Sequence, residues 1–241
     1  MPLIVPGSMQ IGPRPSGSSA PATLPEYLAS IGKGSWYGGF RAGLQQFSDF
    51  DNLVPVTADG ASVRNWLANW SAGGFSASWG QSTGSRRPAY GTSRNGKPGI
   101  YGDGTDWYMT LNSPTALDRT HTVLLSTWTS VFVYGRFYSH GANNSSFQCP
   151  NNTTTQPTFL INGTTGGVTQ NTVLEQTAVS GSTSAHRCGW STVGTGFYGS
   201  SPTLFRSTAG IVYTANTIHE IWLIGAELTP REISAALSYL I

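Results

Sequence analysis

The sequence predicts an all-β protein: an antiparallel β-sandwich closed by a short C-terminal helix and preceded by an extended arm. Three observations carry that expectation. Charged residues make up only 10% of the 241 positions while glycine (30) and proline (14) are abundant, which suits short strands joined by many turns. Apolar and aromatic residues recur at period two, the spacing of a strand with one buried face, between clusters of Gly, Asn and Asp. Near the C-terminus the period changes to that of a helix, behind a Thr-Pro-Arg-Glu start.

The elements follow in chain order. Residues 1–23 are rich in Pro, Gly and Ser and bury too little apolar surface to fold alone. Leu3, Ile4, Val5, Met9 and Ile11 give this arm something for a neighbouring subunit to hold, so 1–35 is expected to be an assembly anchor and 36–241 the sandwich. Leu24 to Leu28 begins a helix of one to two turns, with Pro25 in its first position and Gly32 at its end. Trp36 to Phe50 reads as a strand and a loop, and 62–66 and 75–79 as short strands.

The stretch from Arg87 to Thr110 organises the chain as strand, turn, strand, turn, strand. Asn95-Gly96 is a two-residue hairpin signal because both residues tolerate positive φ. Asp103 to Asp106 makes the next turn, and Trp107, Met109 and Leu111 alternate with Tyr108 and Thr110. The runs 120–129 and 131–138 are β-branched and aromatic and read as central strands. Further strands are expected at 158–162, 171–179, 186–193 and 210–213, with a hairpin turn at 163–167. Ile218 to Gly225 is a strand with large residues on both faces. Thr229 then caps a helix with Pro230 first and Glu232 reaching back, and Ile233, Ala236, Leu237 and Leu240 line one side, expected to pack across an end of the sandwich.

Composition narrows function. A formal net charge of +2, without a basic stripe interleaved with aromatics, argues against dedicated nucleic-acid binding. No apolar run reaches the ~20 residues of a membrane span. The first residues lack a secretory pattern, so synthesis in a cytosol without a signal peptide is expected. Cys149 and Cys188 show no metal spacing; reduced thiols are favoured over a disulfide. Trp66, Trp128 and Trp222 are assigned to the core.

Pro88-x-Tyr90, Asn95-Gly96-Lys97-Pro98 and the run Gly102 to Tyr108 together resemble the first half of a concanavalin A-like lectin/glucanase domain of the laminin-G-like jelly-roll type. The usual central motif of that family is Phe-Asp-Gly-Thr-Asp-Asp-Tyr-Leu; here Gly102 stands in place of the aromatic and Trp107 in place of the second acid. Ile218-x-Glu220-Ile221, then Leu228 to Glu232 and Tyr239-Leu240, resemble its last strand and terminal helix. The likeness spans 36–241 and implies a jelly roll of the kind also found in bacteriophage structural proteins, with sugar binding, calcium binding or glycan hydrolysis among the activities of the fold.

The residues discriminate among those activities. A retaining glycosidase needs two carboxylates about 5 Å apart, and the chain lacks the Glu-x-Asp-x-Glu strand of the glucanase branch; Glu220 and Glu227 do not replace it. The four histidines form no triad with a nucleophile, so no enzyme is expected. Asp103 and Asp106, with Asp118, offer loop oxygens of the kind calcium takes, and the same residues serve as turn formers. Trp107, Tyr108, Trp190 and Tyr198 are the aromatic candidates for stacking on a sugar. The expectation is a non-enzymatic virion structural protein of a tailed phage, a capsid decoration or head- or tail-fibre component. It would be homo-oligomeric, held to other virion proteins by its arm and displaying a lectin-like domain towards cell-surface glycans. A bacterial surface adhesin is the alternative.

Overall fold

The computed structural model describes residues 20–112, 120–129, 135–140, 145–149, 160–163, 168–180, 183–193, 201–206 and 215–241. Along them run α1 (Leu24–Ser30), β1 (Tyr37–Arg41), β2 (Gln46–Phe47), β3 (Asn65–Leu67), β4 (Trp70–Ala72), β5 (Ser78–Gly80), β6 (Ala89–Arg94), β7 (Lys97–Tyr101), β8 (Met109–Asn112) and β9 (His121–Thr129). They continue with β10 (Gly135–His140), β11 (Ser145–Cys149), β12 (Leu160–Gly163), β13 (Val168–Ser180), β14 (Thr183–Val193), β15 (Thr203–Leu204), β16 (Asn216–Ile224) and α2 (Pro230–Leu237). The strands make two antiparallel sheets. Sheet A runs β13-β14-β9-β16-β1-β4, and the β6-β7 hairpin joins it where β7 pairs with Thr217 and Ile218, ahead of the stretch of β16 that pairs with β1. Sheet B runs β12-β11-β10-β15-β8-β5-β3-β2. The protein is an all-β sandwich, as its sequence predicts.

The core lies between the sheets because alternate residues of each strand face inward. Phe40, Ile100, Val123, Leu125, Ile221 and Leu223 from sheet A meet Trp66, Trp79, Met109, Leu111, Phe137 and Leu204 from sheet B. Every residue of β16 is buried. Simple alternation would send Ile218 and Ile221 to opposite faces, yet both lie in this core. The register against β9 slips between Ile218 and Glu220, so His219 is a bulge residue that resets the parity. A slip between Arg136 and Tyr138 has the same result in β10, where Phe137 and Tyr138 both join the core.

Sheet A also buries its outer face. Leu124, Trp222 and Ile224 point away from the core and are covered by Leu24 and Leu28 of α1 and by Leu228, Ile233, Ala236 and Leu237 at and beyond the start of α2. Both helices begin with a complete capping box, Thr23 with Glu26 and Thr229 with Glu232. The sequence reading put α2 across an end of the sandwich; instead it lies flat on sheet A, because the outward parity of β9 and β16 supplies an apolar patch there. Its approach is fixed by a buried hydroxyl pair, Thr122 and Ser191, whose oxygens accept from the Leu228 amide at 3.1 and 3.0 Å. α1, which the sequence reading placed in the arm segment, stacks Tyr27 on Tyr239, and its Tyr27 hydroxyl donates to the Glu232 carbonyl.

Beside the helices lies the buried carboxylate of Glu220. It accepts two bonds from the Arg41 guanidinium at 3.1 Å, one from Trp222 Nε1 at 2.7 Å and one from the Ile241 amide at 3.0 Å. Gly39 is paired between Trp70 and Trp222, and a Cβ there would sit 2.6 Å from the Trp222 ring. The two indoles therefore stack over the glycine, with centroids 5.3 Å apart. Trp128 is half-buried and belongs to neither core cluster, which corrects its core assignment: it shares the outward parity of Leu124 on β9, at the far end from the helices.

Elsewhere the sequence reading and the structure agree in part: β4 is not foreseen, and β11 includes Ser145 and Ser146, which the sequence suggests as loop. Asn95 and Gly96 both have positive φ in the predicted hairpin. The strands expected at 62–66 and 75–79 form, but later, as β3 and β5. Those expected at 120–129, 158–162, 171–179, 186–193 and 218–225 correspond to β9, β12, β13, β14 and β16. The five apolar arm residues, the strand expected at 210–213, and 164–167 of the predicted hairpin turn lie outside the described residues. Cys188 is a buried free thiol, raised well above its ordinary pKa by burial; the Cys149 side chain lies outside what is described.

Two predictions follow from these contacts. Arg41→Met leaves the Glu220 carboxylate buried without its counter-charge and should cost about 3 kcal/mol in denaturant unfolding; the double variant Arg41→Met/Glu220→Gln should lose less than Arg41→Met alone. The second concerns acid. Burial lowers His186 from 6.5 to about 4 and lowers His219 as well. A folded-state pKa below the unfolded one means that only the unfolded chain takes up the proton as pH falls from about 6.5 to about 4. Stability should drop across that window by roughly 3 kcal/mol from His186 alone, and pH-resolved melting of His186→Gln should show a flatter slope.

Candidate functional site

The outer face of sheet B carries an open groove of about 420 Å³. Its floor follows from strand parity. Trp66, Trp79, Met109 and Leu111 point into the core, so Asn65, Gly80, Thr110 and Asn112 point outward. Asn65 pairs with Gly80 and Gly80 with Thr110, which sets three outward positions in one row across β3, β5 and β8. Gly80 has no side chain, and the row is hollow at its centre. A Cβ built there would lie 2.6 Å from Asn112 Nδ2 and 3.3 Å from Asn65 Oδ1, so these two carboxamides border the hollow.

One wall is the loop between β2 and β3. The Asp49 carboxylate accepts from the amides of Leu53 and Val54, bonds that hold its pKa below the ordinary value. Asn65 Nδ2 donates to the carbonyls of Asp49 and Phe50 and to Asn52 Oδ1. Asn52 itself sits at φ 59, a conformation asparagine tolerates better than most residues. The braced loop raises Phe50, 72% exposed, beside the groove, with the Arg64 guanidinium 5.2 Å from its ring centroid.

The other wall is Gln81, Ser82 and Tyr108. Gln81 accepts from the Thr83 amide and donates to the Tyr108 carbonyl. Arg87 ties both walls together by donating to the carbonyls of Gln81, Ser82 and Ser48; burial lowers its pKa, and the nearby Arg64 charge lowers it further. Arg206 lies flat on Tyr108, 3.4 Å from the ring centroid. A side-chain hydrogen bond from Gln81, opposed by burial and reinforced by the charges of Arg206 and Arg86, holds the Tyr108 hydroxyl below its ordinary pKa.

The groove gathers one of the residues singled out from the sequence, Tyr108. Trp107, one position earlier, turns the other way and packs on Tyr101 of sheet A at 6.2 Å. Trp190 is fully buried, edge-on to Tyr138 in the core, and offers a sugar no face, which removes it from the stacking candidates. Tyr198 and Asp118 lie outside the described residues. Asp103 Oδ1 accepts from the amides of Thr105, Asp106 and Trp107 at 2.9–3.1 Å, so that oxygen is engaged in shaping its own turn. Asp106 is half-buried in the same turn, and among the described residues no group of three His, Cys, Asp or Glu side chains converges on a metal position.

Phe50, Arg64, Gln81 and Arg206 were not anticipated as site residues. The one local signal was Gly80, an outward-parity glycine directly after the alternating 75–79 run; the others are brought together by pairing between distant strands. A second cleft, about 290 Å³, lies between the start of α1 and the outer face of sheet A. Its charged groups, Arg41 and Glu220, are paired with each other.

Fold and groove define a class, an all-β sandwich with an open polar groove on one face and helices covering the other. Beyond that class, no protein-family profile, curated protein or solved structure matches the chain.

Gly80→Ala should fill the hollow at little cost, because the atom in its way is the end of a mobile carboxamide. The unfolding free energy should stay within ~0.5 kcal/mol of the parent, while the side-chain amide signals of Asn112 shift in an NMR spectrum.

Proposed function

We propose that the chain is a non-catalytic glycan-binding protein of the concanavalin A-like kind, its ligand lying in the groove on sheet B. The observation that carries this reading is the groove's make-up. Aromatic rings at Phe50 and Tyr108 stand beside carboxamides and hydroxyls at Asn65, Asn112, Ser82 and Thr110, over a floor opened by Gly80. Sugars present apolar ring faces and rows of hydroxyls, and this combination answers both. Glu220, one of the two acids weighed for hydrolysis in the sequence, is buried and engaged by four hydrogen bonds.

The setting we propose is the virion of a tailed phage, where the Pro- and Gly-rich arm anchors the domain on a capsid or tail and the groove meets cell-surface glycans. Low charge, many turns and an arm with Leu3, Ile4, Val5, Met9 and Ile11 as its apolar points support it. A glycan array probed with the full chain tests the ligand. Binding to a defined set of glycans, lost in Gly80→Ala, is expected; no binding to any glycan, or release of reducing sugar from a bound one, overturns the reading. Deleting residues 1–23 should abolish attachment to the particle while leaving glycan binding intact. Undiminished attachment would favour a free-standing adhesin.

A further inference from the structure

We infer that the groove selects anionic glycans, sugars bearing a carboxylate, sulfate or phosphate, through the guanidinium of Arg64 on one wall and that of Arg206, stacked on Tyr108 of the other. The inference rests on the glycan reading above and specifies its ligand class.

Charge is the first observation. Arg64 lines one wall, and Arg206 covers the ring of Tyr108 on the other, with Arg86 beside the same tyrosine. Arg87 runs beneath both walls, near enough to Arg64 for the two charges to repel. Among the described residues none of the four has a carboxylate at ion-pair distance; that pairing is made by Arg41 and Glu220, on the other sheet. The loop carrying Phe50 holds Asp49 and Asp51, but the Asp49 carboxylate is folded onto the amides of Leu53 and Val54, and Asp51 is exposed to solvent. Cations gathered without counter-ions repel one another, and an anion in the groove would relieve that cost.

Geometry is the second. Arg87 spends its guanidinium on three carbonyls and serves as a brace. Arg206 does not: its Nε is buried with no hydrogen-bond acceptor among the described residues. A buried donor of a charged group left unmatched is costly, and a planar guanidinium matches a carboxylate, sulfate or phosphate through two parallel bonds. The backbone is bent to put Arg206 there. Phe205 has φ 66, a left-handed conformation unusual for a bulky residue, while its ring stays fully buried in the core. Strain of this kind costs on the order of 1–3 kcal/mol and is found where a site depends on it. Here it turns the chain so that Phe205 packs in the core while Arg206 stacks on Tyr108.

A single-stranded nucleic acid also offers anions and flat rings. The hydroxyls and carboxamides between the guanidiniums favour a sugar, since they match ring hydroxyls rather than a continuous phosphate backbone.

The full chain would be titrated calorimetrically with polygalacturonate, dextran sulfate, a phosphorylated dextran, unmodified dextran and an oligodeoxythymidine. Binding to at least one anionic polysaccharide, weakening as salt is raised, is expected. Arg64→Gln should reduce that affinity about tenfold, the loss of one charged hydrogen bond, with its melting temperature unchanged. Arg206→Gln should do the same, and Arg64→Gln, on a partly exposed side chain, keeps the test open should the former fail to fold. The carboxylated, sulfated and phosphorylated probes separate the sources of the charge. Equal binding of dextran and its charged forms, or an Arg64→Gln protein with undiminished affinity for them, overturns the anionic specificity and leaves glycan binding standing. Binding to the oligonucleotide alone overturns both, and binding to none of the probes overturns the anionic specificity while the glycan array decides the glycan reading.

Discussion

A buried carboxylate holds much of sheet A and its helical cover in place. Glu220 lies on a strand whose residues are all buried and satisfies its oxygens from three directions: the neighbouring strand through Arg41, its own strand through Trp222, and the chain after α2 through Ile241. A charge taken out of water is tolerable only with partners of this number and geometry. The requirement explains why so much converges here. β1 must bring Arg41 opposite Glu220; Gly39 must lack a side chain so that Trp222 can lie across β1; and the segment after α2 must return to the sheet, where Ser126 Oγ also donates to the Ile241 carbonyl.

The layering follows from the same strand. Because β16 is apolar on both faces, sheet A needs cover on each side. Sheet B supplies it inside, and the two capped helices supply it outside. Sheet B has alternating strands in β3, β5 and β8 and needs no second cover, so its outer face there is left to water. The location of the groove is thus decided by which strands are doubly apolar.

Much of this was legible in the sequence because it is local. Asn95-Gly96 announces its hairpin, Thr229-Pro230-Arg231-Glu232 its helix, and Met109 and Leu111 their inward parity. What stayed hidden depends on residues far apart in the chain. The bulges at His219 and Phe137 change which face a side chain takes without leaving a mark on composition, and Trp128 was misassigned because an aromatic in an apolar strand reads alike on either face. The candidate site was less legible than the fold. Tyr108 could be named, but Arg206 meets it only because β15 pairs with β8, and the positive φ at Phe205 that aims Arg206 belongs to a residue type that seldom adopts it.

The helical layer has a directional consequence. Residues 20–23 lead into α1, where Pro21 accepts from the Tyr239 hydroxyl, on the outer side of sheet A. The groove opens on the outer side of sheet B, with the thickness of the sandwich between them, two sheets about 10 Å apart. The molecule therefore has a front and a back. Residues 20–23 lie at the back, so a partner that grips the chain at those residues holds it on the face away from the groove.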